Sequence, residues 1–489
     1  MQRMSTLDIE IPGLKQQFIA GTWQTGASSN LVDVISPSTE EVLTEVAKPT
    51  IKDANLAVAA ARTAFDTGPW PLMSIQERVQ TCARLCDALE ARLTDMNRAW
   101  AFESGATVAH GEMINSGAGV AVWRNALAVA TDLPWEEDRG DTLLIREAIG
   151  TVLGILTFNG PVVLMGMKII PALLAGCTVI IKHAPESPLT SRLIADAVRE
   201  ADFPTGVVSV LAADTVVTRH LVAHDDIDMV ALTGGTAIGV DVIKSTADRL
   251  ARTALELGGK SPAIIAEDVD LSEVLDTLAE GANGFLGQVC VSLSRILAPR
   301  SRYDEIVEAL AERYASLKIG DPFDPSTDRG PLAVERARDR AERYVALAKE
   351  QGAKVVTGGQ RPADLDRGWY YQPTLLAAVN NQMTVAREEI FGPVTAVIPY
   401  EGIDEAVQIA NDSPFGLAAS VYTRDKDLAM RIARQIRAGS VAINMAGVSL
   451  TQPFGGYKQS GWGRECGPEG ILEFTQIKQV LLGGSYLDA

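Results

Sequence analysis

Basic charge is scarce in this chain. Its 489 residues carry 44 lysines and arginines against 62 aspartates and glutamates, a formal net charge of −18. Such a surface repels nucleic-acid phosphates and anionic lipid, so neither is expected as a partner, although a local pocket can still take a small anion. Cysteine is scarce too. Cys82, Cys86, Cys177, Cys290 and Cys466 form an odd, scattered set, which is not a disulfide framework. Only four histidines occur, none close to the Cys82–Cys86 pair, so no zinc site is expected. Long apolar runs are missing as well. The most apolar uncharged stretch, Thr151 to Met167, is broken by "NGP" and followed by Lys168 and Pro171, whereas a membrane span needs ~20 apolar residues. The N-terminal stretch carries Asp8, Glu10 and Lys15 and no signal-peptide core. The chain therefore reads as cytoplasmic. Internal repeats, low-complexity linkers and the G-x-G-x-x-G fingerprint are all absent.

What is present is patterned. Residues 53–66 and 75–99 have helical periodicity, with Asp53 as the expected N-cap. From about residue 150, short β-branched runs alternate with helical stretches: "TVLGILTF" (151–158), "CTVIIK" (177–182), "GVVSVLA" (206–212) and "DMVALTG" (228–234). Runs of this kind predict a parallel sheet buried on both faces, in a Rossmann-like layout. "TGGTAIG" (233–239) follows the last run and would let a backbone approach phosphate at a helix N-terminus. A second alternating region starts near 262, with helices predicted over 301–317 and 335–351 and strands at 354–357, 394–399 and 417–423. "PFGGYKQSGWGRECG" (453–467) reads as a glycine-rich surface loop, and the tail after it as strand.

Three local patterns carry candidate chemistry. "GQVC" holds Cys290, "LELGGK" (255–260) holds Glu256, and "TFNGP" holds Asn159 at a strand end. Singly, each has a plain reading: a buried thiol, a solvated carboxylate, a turn residue. In this order, and together with "KHAPESP" (182–188), "TGGTAIG", "EEIFGP" (388–393) and "PFGGYKQSG" (453–461), they resemble the aldehyde dehydrogenase superfamily from about residue 18 to 483.

The resemblance implies an α/β fold with two Rossmann-like parallel-sheet domains and a small β oligomerisation arm. It places the NAD(P)-binding domain at 1–130 and 149–257, the catalytic domain at 258–455, and oligomerisation segments at 131–148 and 456–489, in a homodimer or homotetramer. It implies that Cys290 attacks a small-molecule aldehyde to form a thiohemiacetal. The Asn159 amide and the Cys290 backbone N–H would stabilise the oxyanion, and Glu256 would activate the water that hydrolyses the resulting thioester. Lys168 falls in a family slot after Asn159. Phe158, Lys182, Gly235, Thr236, Leu257, Glu389 and Phe391 would hold NAD, with NADP open because Pro185 stands where many members carry a carboxylate and Glu186 comes one residue later. The family often has Trp before the Asn and an aromatic after it. Here Phe158 and Gly160 flank Asn159, Met167 replaces a frequent Trp, and Gly447 lies in the loop bordering the tunnel, so a wide apolar pocket for a bulky or aromatic aldehyde is expected. The alternatives are a coenzyme-A-acylating semialdehyde dehydrogenase, which Glu256 disfavours, and a catalytically silent relative of the fold.

Overall fold

The computed structural model describes residues 7–483. Among them, two large sheets and a three-stranded antiparallel sheet dominate an α/β fold. The four runs after residue 150 become the strands Thr151–Ile155, Thr178–His183, Val208–Ala212 and Met229–Thr233. With Arg252–Glu256 they form the parallel centre of an eight-stranded sheet. Their side chains are buried almost throughout, as a sheet covered on both faces requires. One face packs on the helix Ile51–Asp66, whose Ala54, Ala57, Val58 and Ala61 meet Leu153, Ile180, Leu211 and Val230. Small side chains at helical spacing let that helix lie close to the sheet.

The edges differ from a purely parallel layout. Gln17–Ile19 and Thr22–Gln24 extend one side antiparallel, and Gly461–Trp462 pairs antiparallel with Arg252–Glu256 on the other. The second large sheet has seven strands between Pro262 and Ile443. Six are parallel, and Lys354–Thr357 is antiparallel at one edge. The small sheet joins Thr475–Leu481 to Thr142–Ala148 over seven residue pairs, with Glu136–Asp138 beyond.

Three local expectations are corrected. The N-cap of the first helix is Thr50, not Asp53. Asp53 sits at N3, and its carboxylate reaches back to the Thr50 N–H in a capping box. The helix expected over 75–99 is two helices, Ile75–Glu90 and Leu93–Ser104. Between them Arg92 leaves helical geometry, and its guanidinium binds Ala88 O, Asp196 and Glu200. Residues 453–467 are not a surface loop: Phe454, Gly455, Ser460, Gly461 and Glu465 are buried. Glycine there serves close approach. A Cβ on Gly461, whose φ is +109°, would stand 1.8 Å from Leu255 O.

Candidate active site

A cavity of about 480 Å3 opens at the carboxyl ends of the strands of the first body, built on the eight-stranded sheet, and is closed on its far side by the second body, built on the seven-stranded sheet. The first body contributes Phe158, Asn159, Lys182, Gly235 and Leu257, and the second contributes Cys290, Glu389 and Phe391. Thr236 points elsewhere, its hydroxyl donating to Gln459 O at 3.2 Å. Gly235 caps the helix Thr236–Thr246, and a Cβ there would meet nothing within 4 Å. That glycine-lined helix start, facing a cavity with Lys182 on its wall, fits a dinucleotide phosphate and ribose. Burial pulls the Lys182 amine down to about 8, against the charges of Glu186 and Asp214. Phe158 and Phe391 meet edge-to-face with ring centroids 6.2 Å apart. Burial raises the Glu389 carboxyl, while the Gly259 N–H, donating to Oε1 at 3.1 Å, holds it in place.

The nucleophile candidate sits on a tight turn between the helix Leu271–Asn283 and the strand Arg295–Pro299. Just before it, Phe285 (φ 47°), Leu286 (φ 52°) and Gly287 (φ 68°) are consecutively left-handed. For the first two this costs roughly 1–2 kcal/mol each. Gln288 holds the strained turn, with its Nε2 donating to Phe285 O and its Oε1 accepting from Ala333 N. The composition of "GQVC" does not mark this Gln as a strut, because its partner lies 45 residues away.

Asn159 is oriented by chemistry. Gln288 O can only accept, so it fixes the amide nitrogen of Asn159 at 3.0 Å. The Asn159 Oδ1 in turn accepts from the Thr157 hydroxyl at 2.6 Å. One amide hydrogen of Asn159 stays free beside the nucleophile turn.

Cys290 is half-buried, while Cys82, Cys86, Cys177 and Cys466 are buried. Burial, then the carboxylates Glu389 and Glu256, push its thiol up to about 12, opposed by its own and Val291's backbone N–H groups. Glu256 ends the strand Arg252–Glu256, and its carboxylate lies behind the cavity rather than on its wall. Neither oxygen has a hydrogen-bond partner. Burial, then Glu465, raise this carboxyl well above its usual value, while Lys168 and Arg464 oppose the rise. A Cβ on Gly455 would be 2.8 Å from Glu256 Oε1, so the 453–467 segment roofs the carboxylate.

Lys168 does not reach the cavity. It is fully buried on a π-helical turn, Met165–Ile169, and pairs with Glu465. It therefore acts on Glu256 by charge. Glu465 itself could not be picked out from its sequence surroundings.

Cys290 and Val291 are partly buried residues packed against the first body's apolar core, whose buried members include Val163, Met167 and Phe454. Positions 160 and 447 are glycines, and a Cβ on either would meet nothing within 4 Å.

Residues 23–480 match the Aldehyde dehydrogenase family. The geranial dehydrogenase of Castellaniella defragrans is 40% identical over 96% of this chain and 98% of its own length. A 3-succinoylsemialdehyde-pyridine dehydrogenase from a Pseudomonas species is 38% identical over the same shares. Among solved structures, a Mycobacterium tuberculosis aldehyde dehydrogenase complexed with NAD+ superimposes with a TM-score of 0.94 at 42% identity, covering 96% of this chain and 98% of that one. An aldehyde dehydrogenase C from Pseudomonas syringae, complexed with NAD+ and octanal, gives 0.94 at 35% identity over 97% and 98%. With a match over residues 23–480 and relatives 38–42% identical along nearly their whole length, the chain belongs to the aldehyde dehydrogenase family.

Proposed function

We propose that this protein oxidises a bulky apolar aldehyde to the carboxylic acid with NAD, through a thioester on Cys290. The observation that carries the reading is that Cys290 and Asn159 line the same cavity, Asn159 bonded to the Gln288 carbonyl two residues before the thiol, with the buried Glu256 behind. Cys290 Sγ adds to the carbonyl carbon and gives up its proton. The free amide hydrogen of Asn159 and the Cys290 N–H meet the oxygen as it becomes an oxyanion, and removing one such donor costs ~10²–10³-fold in rate. NAD, when bound, supplies the hydride acceptor that takes the thiohemiacetal to a thioester. Lys182, Gly235, Leu257, Glu389 and Phe391 would hold it. Glu256 then takes a proton from the water that attacks the thioester, and Lys168 and Arg464 supply the positive charge that favours its ionised form.

The open space in front of Gly160 and Gly447, with methionine rather than tryptophan at 167, supports an apolar aldehyde with a wide carbon skeleton. Relatives named for geranial and crystallised with octanal share that chemistry. An aldehyde panel assayed by reduced-nicotinamide absorbance, with and without coenzyme A, is the test. We expect a higher kcat/KM for benzaldehyde-sized and long-chain aldehydes than for acetaldehyde, and no dependence on coenzyme A. A preference for acetaldehyde would refute the pocket reading, and a requirement for coenzyme A would refute hydrolysis.

Cofactor choice is predicted from the loop after Lys182. Pro185 offers no carboxylate, but Glu186 lines the cavity and pairs with Arg336 of the second body. A 2′-phosphate on the ribose would be repelled by that carboxylate, whereas a hydroxyl would donate a hydrogen bond to it. Glu186→Gln should therefore raise kcat/KM for NADP relative to NAD about tenfold, the equivalent of ~1.4 kcal/mol. Initial rates with the two cofactors decide it, and an unchanged ratio rejects Glu186 as the discriminating charge.

A further inference from the structure

The last residue of "LELGGK" takes no part in the steps above. Lys260 is 2% exposed, and its Nζ has no hydrogen-bond partner. The charged groups facing it are Arg295, which repels it, and Glu389 and Glu388, which attract it. Arg295 offers no relief. It is fully buried, and its guanidinium donates to Lys260 O, Ile409 O, Ala410 O and Asn381 Oδ1, all of them neutral. Two buried cations thus lie behind the nucleophile turn without an anion in direct contact.

An unpaired buried ammonium opposes folding, and a methionine of similar length would fill the same volume without that penalty. What the lysine adds is found in a small cavity of about 10 Å3 lined by Lys260, Ser292, Glu389, Gly259 and Phe391. The Ser292 hydroxyl is also buried and unpartnered. The space suits one water, which needs two to four polar partners of this kind. In the loop between the strands Arg252–Glu256 and Pro262–Ile265, the Gly259 N–H already fixes one Glu389 oxygen.

We propose that Lys260 is a positioning residue of the cofactor site: through one bridging water shared with Ser292, its ammonium holds the Glu389 carboxylate in the orientation that receives the nicotinamide ribose. The proposal rests on the reading of Glu389 as the ribose ligand. Lys260 touches neither substrate nor cofactor. It spends stability on a carboxylate one layer away.

The test is a double-mutant cycle on the full-length protein. Fluorescence titration with NADH gives Kd for wild type, Lys260→Met, Glu389→Gln and the double variant, and thermal unfolding is recorded alongside. Titrations are run at pH 6.5, because burial and Arg295 pull the Lys260 amine down to about 7 and it must carry its proton. Lys260→Met is expected to raise Kd about tenfold without lowering the unfolding temperature, and to have no further effect once Glu389 is glutamine. Losses that multiply in the double variant would overturn the proposal, because Lys260 would then act elsewhere. So would wild-type affinity in Lys260→Met alongside weakened binding in Glu389→Gln. Wild-type affinity in Glu389→Gln would instead bring down the ribose reading, and the proposal with it. If Lys260→Met does not fold, Lys260→Gln takes its place with the same outcomes.

Discussion

Cys290→Ala is expected to lower aldehyde oxidation by at least ~10³-fold while leaving NADH affinity within about twofold of wild type. The first half follows from the absence of a substitute nucleophile, since Cys82, Cys86, Cys177 and Cys466 are buried. The second follows because the cofactor cavity is walled mostly by the first body. Stopped-flow absorbance and NADH fluorescence measure the two quantities, and a variant that turned over near the wild-type rate would remove Cys290 from the mechanism. The electrostatics add a pH signature. With the thiol pushed up to about 12, only about one molecule in 10⁴ carries a thiolate at pH 8. In cofactor-free protein the rate of alkylation by iodoacetamide, followed by mass spectrometry at Cys290, should climb about tenfold per pH unit from 7 to 9. A plateau near neutrality would mean that the surrounding carboxylates do not act on the thiol as described.

Glu256→Gln should separate acylation from deacylation. In the proposed mechanism, addition of Cys290 and loss of hydride do not use this carboxylate, whereas hydrolysis does. Mixing the variant with NAD and aldehyde is expected to give a burst of one NADH per active site, followed by a steady rate ~10²–10⁴-fold below wild type, the usual worth of a general base. The carboxyl is raised well above its usual value by burial and then by Glu465. Wild-type deacylation should therefore accelerate with rising pH as Glu256 ionises, and the variant should lose that dependence. Equal burst and steady-state rates would show that water is activated elsewhere.

The strands between 151 and 233 were legible because a buried parallel sheet writes itself locally, as β-branched runs between turns. The order of "TFNGP", "LELGGK" and "GQVC" was legible for the same reason, each being a short contiguous pattern. What stayed hidden depends on partners distant in sequence. Lys168 meets Glu465 across 297 residues, and no periodicity announces that pair. Arg92 breaks a helix whose pattern runs on, because Asp196 and Glu200 offer it better bonds. The glycines of 453–467 signalled loop. Their actual reason is a backbone pressed against Leu255 and Glu256, visible only once the strand beneath them is in place. Lys260 belongs to a recognised motif, yet its lack of a partner is a property of three dimensions.

The strand Gly461–Trp462 also bears on how the protein is made. Its register sets Gly461 opposite Glu256 and closes the edge of a sheet whose other strands are all complete by Glu256. About 200 further residues must leave the ribosome before that edge is covered, roughly 10–40 s at ~5–20 residues per second. During that interval the nascent first body exposes a bare parallel edge ending in Glu256. The tail Thr475–Leu481, pairing with Thr142–Ala148, arrives later still. A chain stopped short of Gly461 thus has Cys290 and the residues of the cavity but lacks the strand that pairs with Leu255 and Glu256.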